Sequence, residues 1–142
     1  MVTVAFCHSP GFTGSLIRGV TWSPWDHVAL VRKDGRFLSA MPGIGVVIGP
    51  APEAARIDLF EVDAIEAAVM WQAREQLGKP YDWTAVIGIG LHRDWRETDS
   101  WFCSELLAWA FETAGHPLLR TDHLNRITPG DLAMSPFLKG PL

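Results

Sequence analysis

The order of its segments is what most restricts this chain: β-type runs crowd the first half, and the two strong helical patterns follow. Val2–Cys7, Trp25–Arg32, Arg36–Ala40, Gly45–Ile48 and Arg56–Val62 are short runs rich in β-branched and apolar residues. Turn clusters separate them: Ser9-Pro10-Gly11, Lys33-Asp34-Gly35 and Pro50-Ala51-Pro52. Strands that do not alternate with helices cannot form the parallel sheet of βαβ units. The expectation is therefore an α+β fold, helices packed on a small antiparallel sheet or barrel. Ser15–Val20 is read as one or two helical turns within the strand-rich half.

Two helices are expected after the strands. Asp63 and Glu66 have capping-box spacing, and Ile65, Val69, Ala73 and Leu77 repeat every fourth residue before Gly78 and Pro80 stop the helix. The second runs from about Ser100 to Ala114 and stops at Gly115. Its inward stripe is Phe102, Leu106, Trp109, Ala110 and Thr113, with Cys103, Leu107 and Ala114 beside it and Glu105 and Glu112 solvated. Between the helices lie an apolar, glycine-containing stretch ending at Leu91 and a charged loop from His92 to Asp99. Thr128-Pro129-Gly130-Asp131-Leu132 reads as a turn and a short capping segment. Gly88 and Gly90 open no dinucleotide fingerprint, because no third glycine and no strand-then-helix context follow.

Composition bounds the partners. The 142 residues, 48% hydrophobic, suit one domain spanning 1–142. The formal charge of −4 and scattered basic residues exclude a nucleic-acid footprint. Seven tryptophans fit either a core or the lining of a substrate groove. No apolar stretch is long enough to span a bilayer, and the N-terminal residues lack the basic region of a signal peptide. Two cysteines make no disulfide framework, so a cytoplasmic, reducing compartment is the default, with phage association the alternative.

Cys103 is the residue to which chemistry attaches first. It falls in the first turn of a helix, with Asp99 or Ser100 as candidate N-cap, where free N–H groups and the helix dipole favour a thiolate. The bland alternative is an inert buried cysteine. His27 heads the apolar strand Val28-Ala29-Leu30-Val31, where core meets loop, a place suited to a general base and equally to a strand-end cap. His8, His92, His116 and His123 fall in turn or loop contexts and read as surface residues. Cys7-His8 is a rival pair, but adjacent strand residues point to opposite faces. Cys7, His8, His27 and Cys103 lack zinc-finger spacing, so neither metal nor cofactor is expected.

Ser23-Pro24-Trp25-Asp26-His27-Val28-Ala29-Leu30-Val31 and Phe102-Cys103-Ser104-Glu105-Leu106-Leu107-Ala108-Trp109-Ala110 together resemble the circularly permuted papain-like branch of the NlpC-type cysteine hydrolases. This is the YiiX- and YaeF-like group, which includes phage-encoded members. In it histidine precedes cysteine along the chain, as here. The resemblance extends to Gly78-Lys79-Pro80-Tyr81-Asp82-Trp83 and Thr128-Pro129-Gly130-Asp131-Leu132, so it touches most of the chain through short motifs. It implies a permuted papain-like fold, with Cys103 as nucleophile and His27 as base. Position 39, a glutamate in many relatives, orients the imidazole and here is Ser39. Serine accepts a hydrogen bond from the ring but cannot offset the charge of imidazolium. A three-residue Lys33–Gly35 loop places Ser39 on the face of His27, and a two-residue loop turns it away. Tyr81 matches a tyrosine that helps bind the oxyanion; its alternative role is core packing.

The resemblance implies amide substrates, with cell-wall (peptidoglycan) stem peptides commonest in the wider family. Two other readings accompany it: a catalytically weak binding or assembly module of a phage or bacterium, motivated by Ser39, and a lipid acyltransferase or thioesterase using the same pair. The sequence is silent on oligomeric state.

Overall fold

The computed structural model describes residues 1–83, 99–120 and 126–142. The apolar stretch after Trp83, most of the charged loop with His92, and His123 lie outside the described residues. Strands β1 (Val2–His8), β2 (His27–Val31), β3 (Phe37–Met41), β4 (Gly45–Gly49), β5 (Arg56–Val62) and β6 (Leu138–Lys139) form one antiparallel sheet in the order β4-β3-β2-β1-β5-β6. Helix α1 (Phe12–Thr21) follows β1, α2 (Glu66–Arg74) follows β5, and α3 (Cys103–Thr113) packs on β2, β3 and α2. A short α4 (Pro129–Ala133) touches α3 before β6 closes the sheet edge. The architecture is the expected α+β one, with a sheet rather than a barrel. β6 was not expected: two residues carry no periodicity and pair only because Val62 and Glu61 offer an open edge.

Strand alternation sorts the sheet. Val4 and Phe6 of β1, Val28 and Leu30 of β2 and Leu38 of β3 join Leu106, Leu107 and Phe111 of α3 in the main apolar cluster, all essentially fully buried. The alternate residues, Ala5 and Cys7, His27 and Ala29, then Ser39, share the other parity and are also buried. Val31 opposes Phe37, so the β2–β3 hairpin turns through the three residues Lys33–Gly35. The Arg32 N–H donates to the Arg36 carbonyl at 2.8 Å, and Gly35 takes the left-handed φ of 79° that this loop requires.

The helices depart from the sequence reading at their ends. Asp63 and Glu66 do not cap α2; Ile65 is the N-cap, with no side-chain bond. The Ala64 N–H turns back to the Val62 carbonyl, so the chain is still leaving β5 where the cap was expected. Val69 and Ala73 are buried, but Ile65 and Leu77 at the ends of the stripe are exposed. A capping box does form at Thr128 and Asp131, each side chain accepting from the other's backbone N–H, at 3.1 and 2.8 Å.

Helix α3 starts at Cys103 rather than Ser100. Tyr81 and Trp101 form a parallel bridge in which the Trp101 N–H donates to Pro80 and the Asp82 N–H donates to Trp101, holding the chain extended up to Phe102. At the other end the stop at Gly115 forms as expected, with φ 84° and the His116 N–H returning to the Phe111 carbonyl at 2.8 Å. Glu105, expected in solvent, is buried, because α3 is covered on more than one side; Phe111 is buried and Thr113 exposed. His8 and His116 are half-buried rather than surface residues, His8 through Nδ1 contact with the Pro24 carbonyl at 3.0 Å and His116 through the turn that folds it back on α3. At the β4 edge the Gly45 position has φ 100°, and an added Cβ would lie 2.4 Å from the Lys79 carbonyl oxygen, so only glycine lets residues 78–80 pass alongside.

Candidate active site

Cys103 is the first residue of α3, after Phe102 in extended conformation. It is fully buried, and its Sγ lies 3.9 Å from the Asp26 carbonyl, the peptide oxygen directly before His27. Two backbone N–H groups, of Val28 and Ser104, also favour its charged form. Burial outweighs them and pushes the thiol up to about 12. The helix start thus supplies the stabilisation anticipated from the sequence, but desolvation reverses its net effect. Ser104 anchors this turn by donating its hydroxyl to the Ile127 carbonyl.

His27 begins β2, opposite Cys7 on β1. Its Nε2 pairs with Ser39 Oγ at 3.0 Å, the arrangement the three-residue loop permits. Burial pushes its pKa down to about 4, against an opposing pull from Asp26. At neutral pH the resting groups are therefore a thiol and a neutral imidazole. Among the described residues Nδ1 has no hydrogen-bond partner, and no hydrogen bond joins the ring to Cys103. His27 also lines an open cleft of ≈ 270 Å³ with Asp26, Ser9, Gly14, Met41 and Pro42.

Tyr81 stacks edge-on against Phe102 and Trp83, at centroid separations of 5.9 and 5.0 Å. Its hydroxyl is buried with no hydrogen-bond partner among the described residues. Burial raises its pKa strongly, and the acidic groups of Cys103, Asp26 and Glu105 add to the shift. So Cys103 and Tyr81 lie within electrostatic reach of each other, and the Cys103 sulfur meets the Asp26 carbonyl directly before His27.

Sequence reasoning missed Asp26 and Arg18. Asp26 is buried; its Oδ1 accepts from the Ser9 N–H at 2.7 Å and from Arg18 Nη1 at 2.8 Å. The only sequence signal was an acidic residue directly before the strand-heading histidine.

No protein-family model and no curated protein matches the chain. Solved structures do match, among them one described as the metalloprotein yiiX from Escherichia coli. Among the described residues no three of His, Cys, Asp and Glu gather where they could hold a metal ion. No helix among the described residues is long and apolar enough to cross a membrane. With a TM-score of 0.74 over 97% of this chain and 93% of the other, at 16% identity, the α+β fold described above is that of yiiX.

Proposed function

We propose that this protein is a thiol hydrolase that cleaves an amide bond through an acyl-enzyme on Cys103. The observation that carries the reading is the buried Tyr81 hydroxyl, without a hydrogen-bond partner among the described residues, near a cysteine at a helix start. An orphan buried hydroxyl costs about 1–3 kcal/mol, so its survival asks for a partner that arrives during the reaction. Together with the N–H groups at the start of α3, it suits the oxyanion of a tetrahedral intermediate.

The resting protonation states set the order of events. As the Cys103 sulfur attacks the carbonyl carbon, its proton passes to His27, whose Nδ1 has no other partner among the described residues. The S–C bond forms, the C–N bond breaks, and His27 gives the proton to the departing amine. Water then attacks the acyl carbon and gives a proton to His27; the C–O bond forms, the S–C bond breaks to free the acid, and His27 returns the proton to the sulfur. Ser39 holds the ring through Nε2 throughout. The likeness of the His and Cys segments to NlpC-type hydrolases supports an amide in a peptide, a peptidoglycan stem peptide foremost.

In the test, Cys103→Ala and His27→Ala are each compared with wild type for iodoacetamide labelling at neutral pH and for amine release from stem peptides. Both variants should lose turnover, and His27→Ala should label markedly more slowly at Cys103. Unchanged labelling in His27→Ala overturns the pair. A second reading, a binding or assembly module, draws on the complete burial of Cys103 and its elevated pKa. It predicts stem-peptide binding without amine release, unaltered by Cys103→Ala.

A further inference from the structure

The proposed chemistry places a positive charge on a buried ring that no carboxylate among the described residues hydrogen-bonds. When His27 takes the thiol proton, its Nε2 partner is the neutral hydroxyl of Ser39, which accepts a hydrogen bond but supplies no counter-charge. The groups facing the ring come from four elements or segments. Cys7 sits opposite it on β1, Ser39 on β3, Cys103 lies beyond the Asp26 carbonyl at the start of α3, and exposed Glu53 lies on the rim of the shared cleft. The thiol of Cys7 is pushed up to about 12, first by burial, so it carries no charge at neutral pH. The other acidic group lining the cleft is Asp26, and unlike Glu53 it is buried.

Asp26 is pinned from every direction. Its N–H donates to the Cys7 carbonyl at 3.1 Å, and its carbonyl accepts from the Cys103 thiol. Its carboxylate is fixed by the Ser9 amide and by Arg18, with side-chain exposure of 4% for Asp26 and 16% for Arg18. Arg18 reaches it from α1 and also donates to the Ser9 carbonyl at 2.9 Å, so α1, the end of β1 and the head of β2 meet at this one carboxylate. A buried ion pair is weak evidence for stability, since desolvating two charges offsets much of their attraction. Its position, directly before His27 and with its carbonyl on the Cys103 sulfur, calls for another explanation.

We propose that Asp26 is a positioning residue for the His27–Cys103 pair: Arg18 and the Ser9 amide fix its carboxylate at the head of β2, where its charge offsets the imidazolium formed during acyl transfer. This rests on the function proposed above. The Asp26 carboxylate touches neither substrate nor the reacting sulfur and imidazole; only its backbone carbonyl meets the thiol. It acts by holding the peptide between them and through its field, which Arg18 tempers.

Charge and packing roles separate by the sign of their effect on His27. Asp26→Asn keeps an oxygen for Ser9 and Arg18 but removes the charge, whereas Arg18→Gln leaves the charge untempered. Titration of the His27 ring by ¹⁵N-edited NMR reads both, with folding checked by circular dichroism. The expected result is a His27 pKa lowered in Asp26→Asn and raised in Arg18→Gln, each by about one pH unit. Asp26→Asn should also slow iodoacetamide labelling of Cys103 about tenfold, the same shift in the base expressed as a rate. If the pair served only to pack α1 on β2, both variants would loosen the site and move His27 upward together, overturning the proposal. Should Asp26→Asn fail to fold, Arg18→Lys decides. A charge effect leaves its His27 titration at the wild-type value, and a packing effect shifts it with Arg18→Gln. The titration does not depend on turnover, so a failed hydrolase reading would show as absent amine release with the opposed shifts intact.

Discussion

At the scale of single residues, Tyr81 separates stability from chemistry most cleanly. Its ring earns its place by packing on Phe102 and Trp83, while its hydroxyl is buried without a partner among the described residues. Removing only the oxygen should therefore help the fold and harm the reaction. Tyr81→Phe is expected to gain about 1 kcal/mol in urea unfolding and to lose kcat on the order of 10²-fold with little change in KM. A variant less stable than wild type would mean that the hydroxyl has a partner in the folded protein. The residues of this site differ in how visible they were beforehand. Cys103 and His27 stand out because each sits at a local boundary, the start of a helix and the head of an apolar strand. Asp26 and Arg18 do not, because their pairing passes through the left-handed turn at Trp22, and nothing periodic connects positions eight apart across it. The burial of Cys103 was one of the two readings its position allowed, but its effect was not legible, since the local argument from helix N–H groups omits the desolvation that dominates its pKa.

Element boundaries were less legible than element types, and the two capping boxes explain why. Asp63/Glu66 and Thr128/Asp131 have the same spacing, yet only the second is formed. After β5 the chain is still turning, with Ala64 buried and Asp63 exposed, so the side chain at 63 never meets a free helical N–H. At 128 the cap precedes Pro129, whose fixed φ starts the helix at once, and Gly130 lets α4 pack on Ser23 with its Cβ position 3.3 Å from that side chain. Thr128→Ala should therefore cost about 1 kcal/mol, and Asp63→Ala a few tenths at most, in matched denaturant titrations. Equal losses would place a working cap at both helices. The same tertiary priority moves the start of α3: the Tyr81–Trp101 bridge keeps 101–102 extended, and Cys103, expected in the first turn, is its first residue.

For the whole molecule, the topology concentrates the site between neighbouring strands. β2 pairs with both β1 and β3, so the strand carrying His27 lies in the interior of the sheet, with α3 packed on it and on β3. The antiparallel β2–β3–β4 order followed from strands joined by short turns, whereas the closing edge strand β6 depended on a contact between residues 138–139 and the distant end of β5. Burying a histidine so deeply links folding to pH. Its pKa is about 4 in the folded protein and about 6.5 when unfolded, so between these values the unfolded chain binds the extra proton. The stabilising effect of keeping the ring neutral is complete above pH 6.5, and it is lost as pH falls towards 4. Over that window the loss should approach about 3 kcal/mol. Asp58, whose pKa is lowered by its hydrogen bond from Trp25 Nε1, acts in a different window, below its ordinary value of 3.8. At the alkaline end the two thiols have the opposite sign: Cys7 and Cys103, both held near 12, favour the folded state below pH 9 and lose that advantage as pH rises further. Urea unfolding between pH 4 and 7 tests the acid limb, with His27→Gln as the control that carries no titrating ring but keeps an amide for Ser39. Wild type should lose stability steadily across the window while His27→Gln stays flat. Parallel slopes for the two proteins would mean that another group takes up the proton, and that His27 is already accessible to water in the resting fold.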